Sequence, residues 1–163
     1  MGLKQIYKII KSVFFYLIFK GMKMYLKCFL VLLFILYSCS KESYENNPFL
    51  ETFPFEKNIN LNLPLYDNLR FSGGSIIINN IGIKGVILFN LNDQIMAWEA
   101  SCPNQYPSDC SKMEIEGLQS ECKCNGNKYS LATGQILNPN SEKNYPMLSY
   151  KTIRNGNSIK IYN

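Results

Sequence analysis

The apolar residues of this chain fall into two patterns. Up to residue 37 they form solid runs, at 13–19 and at 28–37, the second placed behind Lys23 and Lys27. From about residue 60 they form short runs broken by turn-forming residues. Gly73-Gly74 precedes the run 75–80, Lys84-Gly85 precedes 86–89, and Asn92-Asp93 separates that run from 95–100. Each has the length of a β-strand, and none repeats at the 3.6-residue period of a helix. Met113-Glu114-Ile115-Glu116 alternates apolar and polar, as a strand with one buried face does. Runs 147–153 and 158–162 flank Arg154-Asn155-Gly156-Asn157, where Asn-Gly is expected to supply the positive φ angles of a tight hairpin turn. Ile159 and Ile161 are expected to face inward and Lys160 outward. The pattern predicts an all-β domain of eight to ten short antiparallel strands, a sandwich or a barrel.

The run at 28–37 has the length and flanking charge of a signal-peptide hydrophobic region and is too short to span a bilayer. Joining it to 13–19 as one span would bury Lys20, Lys23 and Lys27 at several kcal/mol. A two-part membrane anchor is the alternative. A translation start at Met22 or Met24 would make residues 1–21 upstream sequence. The run ends in Leu36-Tyr37-Ser38-Cys39, which resembles the lipobox of bacterial lipoproteins. That resemblance implies lipidation of Cys39 as the mature N-terminus. Ser40 after it is similar to an outer-membrane sorting residue. Residues 40–58 are polar, carry Pro48 and Pro54 and show no period, so they read as a spacer. The expected organisation is a leader over 1–38, a tether over 39–58 and a β domain over 59–163.

Charge changes the picture once the leader is set apart. Six of the seventeen Lys and Arg precede residue 28, whereas all twelve acids follow residue 41, leaving eleven basic against twelve acidic residues, a net charge of −1. The basic surface that nucleic-acid binding needs is absent. Trp98 and the tyrosines lie singly on predicted strands and read as core. No paired acids, Gly-rich phosphate loop or serine elbow is visible, so catalysis has no evident carrier.

The remaining chemistry is in four cysteines. Cys102 and Cys110 lie in one turn-rich loop, and Cys122 and Cys124 in another. Three readings apply: two disulfides, which suit a small exported domain; a four-cysteine zinc or iron site, which the spacing fits poorly; or a redox-active thiol at Cys122-Lys123-Cys124, where the lysine would favour the thiolate.

The loops resemble those of a Rieske iron–sulfur domain. In that family each loop gives one cysteine to one iron and one histidine to the other, and soluble respiratory members add a disulfide between the loops. Cys102-Pro103-Asn104 stands where the family has Cys-x-His, and Cys122-Lys123-Cys124-Asn125-Gly126 where it has Cys-Pro-Cys-His-Gly. Tyr129, Thr133-Gly134 and Pro139 are similar to the family's aromatic, turn and proline-loop positions. The resemblance implies a Rieske-like fold and Cys110–Cys124 as the inherited bridge, with Cys102 and Cys122 close enough to pair. The departure is at Asn104 and Asn125. Both occupy histidine positions, and the chain contains no histidine. A carboxamide nitrogen has no lone pair to offer iron, and its oxygen binds weakly.

The expectation is an envelope lipoprotein, held at the outer membrane by its lipid, with a degenerate Rieske-like domain and no cofactor. It would serve as an accessory module for an unidentified envelope protein. The alternatives are a 2Fe-2S electron carrier with atypical ligation and a thiol-redox protein using Cys122 and Cys124.

Overall fold

The computed structural model describes residues 47–139 and 144–163. The leader, the lipidation position Cys39 and the start of the tether lie outside the described residues. Among the described residues there are nine strands: β1 (Glu56–Asn60), β2 (Ser75–Ile78), β3 (Val86–Leu91), β4 (Gln94–Glu99), β5 (Met113–Glu116), β6 (Gln119–Cys122), β7 (Lys128–Ser130), β8 (Ser149–Asn155) and β9 (Ser158–Tyr162). They form a six-stranded sheet in the order β1-β9-β8-β4-β3-β2 and a three-stranded sheet in the order β5-β6-β7. Every pairing is antiparallel. No helix among these residues is long and apolar enough to cross a membrane.

Strand β3 explains the layout. Its Val-Ile-Leu-Phe run is buried at every position because apolar residues lie on both of its faces. Successive side chains point to opposite sides of a strand. Val86 and Leu88 therefore join one core with Ile59, Leu61, Leu69, Ile95, Ala97, Ile159 and Ile161. Ile87 and Phe89 join a second core with Trp98, Ala100, Cys102, Met113, Cys122, Tyr129 and Leu131. The β3–β4 hairpin is thus a wall between an aliphatic core and the core beneath the cysteine loops.

The strands differ from the sequence expectation in detail. β8 begins two residues later than expected and runs to Asn155. With Asn155 paired to Ser158, the turn is Gly156-Asn157, one residue beyond Asn-Gly, and Gly156 supplies its positive φ of 58°. The turn between β3 and β4 is the one with two positive φ angles, 50° at Asn92 and 71° at Asp93, the signature of a type I′ hairpin. The ordered domain also reaches beyond its expected start at 59. β1 pairs with β9 from Glu56, Leu50 is buried, and the Asn47 side chain donates to the Pro103 carbonyl at 2.8 Å. A 3-10 helix, Pro64–Arg70, adds Tyr66 and Leu69 to the aliphatic core.

The carboxylate of Glu99, fully buried at the end of β4, ties the two halves together. It accepts hydrogen bonds from the backbone N–H groups of Ile83, Lys84 and Ser101, each at 2.8 Å, and from the Tyr150 hydroxyl at 2.7 Å. Four donors compensate the loss of water around a buried charge. The Ser101 bond fixes the first residue of the first cysteine loop.

Candidate functional site: the paired cysteine loops

The first loop leaves β4 and returns to β5. Its ends are closed by hydrogen bonds from Cys102 N to Ser111 O (2.8 Å) and from Met113 N to Ala100 O (2.7 Å). Within it, Ser108 caps a short 3-10 turn, Asp109–Ser111, which carries Cys110 outward. The second loop joins β6 to β7. Asn127 N donates to Asn125 Oδ1 at 3.0 Å, and Gly126 takes a φ of 70°, which a glycine adopts without steric cost.

The structure joins Cys102 to Cys122 and Cys110 to Cys124, with Cα atoms 5.6 and 5.2 Å apart. The two bridges lie at different depths. Cys102 and Cys122 are 0% exposed, whereas Cys110 is exposed and Cys124 half-buried. The Sγ atoms of Cys102, Cys122 and Cys124 all lie within 4.8 Å of one another. The Ser108 hydroxyl sits 3.6 Å from Cys110 Sγ and 3.7 Å from Cys124 Sγ. A bridged sulfur carries no hydrogen, so the serine is the donor.

The two asparagines that stand at the histidine positions have different surroundings. Asn104 is half-buried and fully engaged. Its Nδ2 donates to the Tyr129 hydroxyl (2.8 Å) and the Tyr145 carbonyl (3.1 Å), and its Oδ1 accepts from Tyr145 N (2.7 Å). One carboxamide therefore clamps the first loop to the segment before β8. Asn125 is exposed, and its Nδ2 meets Gln105 Oε1 at 3.3 Å. Burial raises the Tyr129 phenol above its ordinary pKa, with the hydrogen bonds from Asn104 and Asn127 opposing the shift. Lys123 forms an ion pair with Glu114 at 3.0 Å, which holds its pKa above the usual lysine value. The partner shown for its ammonium is thus a carboxylate and not a cysteine sulfur.

Thr133-Gly134 is a packing feature as well as a turn. Gly134 has a φ of 72°, and a Cβ there would lie 2.6 Å from the Trp98 ring. The indole in turn donates to the Leu131 carbonyl at 2.8 Å. The residue that reaches Asn104 from the third segment is Tyr145, which nothing in the sequence singled out. Gln105, Ser108 and Phe49 were equally unmarked. Phe49, from the expected tether, packs edge-on against Tyr106 and Tyr145 at 5.3 and 5.9 Å.

As a donor set for a two-iron cluster these residues do not fit. The two sulfurs that would hold one iron are bonded to each other, and the carboxamide at one histidine position is committed to Tyr129 and Tyr145.

No protein-family model matches the chain, and no curated protein does. Solved structures do resemble it. The ferredoxin of carbazole 1,9a-dioxygenase from Nocardioides aromaticivorans IC177 is 18% identical, with 66% of this chain and 95% of that one covered at a TM-score of 0.42. A chain from a complex of reduced oxygenase and oxidized ferredoxin in carbazole 1,9a-dioxygenase is 20% identical, covering 56% and 82% at 0.41. A putative NADH-dependent nitrite reductase small subunit from Mycobacterium tuberculosis is 17% identical, covering 68% and 96% at 0.39. Likeness at this level concerns the course of the strands, and what those proteins bind or act on belongs to them.

Proposed function

We propose that this chain is a lipid-anchored envelope protein whose Rieske-like domain has exchanged a cluster site for two disulfides, and that it serves as an accessory module for a protein partner. The observation that carries the reading is the bond between Cys102 and Cys122, the two cysteines at cluster-ligand positions. The engagement of Asn104 supports it, because both ends of that carboxamide are already hydrogen-bonded between segments. The membrane link rests on the sequence around Cys39. Cys39→Ala is expected to release the protein from the membrane fraction, and a peptide spanning residues 30–45 recovered from mature protein would refute it.

The rival reading, a 2Fe-2S electron carrier with atypical ligation, requires both bridges to open and all four sulfurs to turn toward iron. Cluster assembly under reducing conditions separates the two. Wild type is expected to stay colourless on return to air. Asn104→His with Asn125→His is expected to take up iron and sulfide only while Cys102–Cys122 is held reduced. Stable visible charge-transfer bands from wild type would favour the electron carrier.

A further inference from the structure

The two bridges form a nested pair, one at the surface and one directly behind it. Thiol–disulfide exchange needs a thiolate to approach one sulfur in line with the bond that breaks. Cys110 is exposed to solvent. At Cys102 and Cys122, both fully buried, an external thiol has no access. Cys124 is different: its sulfur already lies within 4.8 Å of both. Cys110 is not one of that group of three.

We propose that the two bridges act as an ordered relay for an external dithiol, with Cys110–Cys124 as the entry pair and Cys102–Cys122 as the interior pair. This rests on both bridges being formed, as in the reading above, and adds an activity to it. In the first step a donor thiolate attacks Cys110 Sγ, a mixed disulfide forms, and Cys124 leaves as the thiolate. The Ser108 hydroxyl, 3.7 Å from Cys124 Sγ, is placed to donate a hydrogen bond to that leaving group. The donor's second thiol then displaces Cys110. The donor becomes a disulfide, Cys110 and Cys124 become thiols, and two electrons and two protons have been transferred. In the second step the Cys124 thiolate attacks Cys102 Sγ. A Cys102–Cys124 bond forms, the Cys102–Cys122 bond breaks, and Cys122 leaves as the thiolate. This step is redox-neutral and moves the reducing equivalents inward. Attack at Cys102 also keeps the new bridge between the two loops, whereas attack at Cys122 would close a ring within Cys-x-Cys.

The relay makes opposite forecasts for two single substitutions in the full chain. Cys110→Ser leaves a thiol on Cys124. Cys124→Ser leaves one on Cys110. Each oxidised variant is alkylated with iodoacetamide and digested with trypsin, which separates Cys122 from Cys124 by cleaving after Lys123. In Cys110→Ser the label is expected on both Cys124 and Cys122, with a linked Cys102–Cys124 peptide. In Cys124→Ser it is expected on Cys110 alone, with Cys102–Cys122 intact. Label confined to Cys124 in the first variant would overturn the relay. Should that variant fail to fold, wild type treated with one equivalent of dithiothreitol and quenched over time replaces it. Cys110 and Cys124 should then be labelled first, and Cys122 afterwards. Opening of Cys102–Cys122 before the outer bridge, or no labelling of Cys122 at any time, would refute the relay. Four alkylated cysteines before any reductant is added would instead refute the disulfide reading itself.

Discussion

The two cores on either side of the β3–β4 wall are built from different chemistry. The core under β1, β8, β9 and the 3-10 helix is closed mostly by aliphatic side chains, joined by Tyr66 and by Tyr150, whose hydroxyl donates to Glu99. The core under β5, β6 and β7 rests on three strands of three or four residues and is filled by Met113, Cys122, Tyr129, Leu131 and Met147 around the two bridges. Burial of several Ile and Leu, each worth about 1.5–3 kcal/mol, is enough to close the first. A sheet of three very short strands buries too little to hold alone, so covalent links between its loops supply the missing constraint. The half with the staples is the half with the candidate chemistry. The bond between Cys102 and Cys122 therefore constrains the half that also carries the candidate chemistry.

Reduction should separate the two halves most strongly. The bridges close segments with sequence separations of 14 and 20. In the chain-entropy model each contributes about 3 kcal/mol, a large share of the 5–15 kcal/mol typical of a domain. Hydrogen exchange after reduction should show β5–β7 losing amide protection while β3, β4 and β9 retain theirs. Simultaneous loss in both sheets would mean that the halves are not separable.

Ile161→Ala is the corresponding test of the aliphatic half, where the side chain is fully buried. It is expected to cost about 2–5 kcal/mol in denaturant unfolding and to leave the alkylation pattern of the cysteines unchanged. Altered cysteine reactivity in the folded variant would show that this core sets the geometry of the loops.

Glu99→Gln sharpens the link between the halves. An amide cannot accept at both of its ends, so backbone donors among Ile83, Lys84 and Ser101 lose their partner. About 1–3 kcal/mol should be lost. Faster exchange at the Ser101 amide would report a loosened first cysteine loop, and unchanged exchange there would remove Glu99 from the account.

The smallest effect is alkaline. Tyr150 is raised above its ordinary pKa by burial first, then by the negative charge of Glu99 and the hydrogen bond to it; Tyr129 is raised by burial. Their unfolded value is about 10. Both phenols stay neutral in the folded protein above the pH at which they ionise in the unfolded chain. The stability they contribute is thus full below about pH 10 and falls as pH rises beyond it. Melting temperature should decline from that point, and Tyr150→Phe should flatten the decline. An unchanged slope in that variant would contradict the assignment.

The sequence made some of this legible and hid the rest for physical reasons. β2, β3, β5 and β9 carry apolar residues in runs or in alternation, so their positions were readable to within a few residues. β1, β6 and β7 read Glu-Lys-Asn-Ile-Asn, Gln-Ser-Glu-Cys and Lys-Tyr-Ser. They are strands because of what they pair with, and one or two buried side chains each cannot make a period. Their inward residues include Ser120 and Cys122, which a hydrophobic pattern does not count. The cysteine loops were visible because cysteine spacing carries chemistry. The clamp at Asn104 was not, because its partner Tyr145 lies 41 residues away and belongs to no motif.

The central claim is that Cys102 and Cys122 are bonded to each other and do not hold iron. Intact-mass measurement on protein isolated without reconstitution or reductant, paired with iron and acid-labile sulfide assays on the same sample, tests it most directly. The expected mass lies below that of the fully reduced protein by two hydrogens for each of two bridges, with no stoichiometric iron or sulfide. Near-stoichiometric iron and sulfide, with visible charge-transfer bands and four cysteines free to alkylate once the metal is removed, would contradict it.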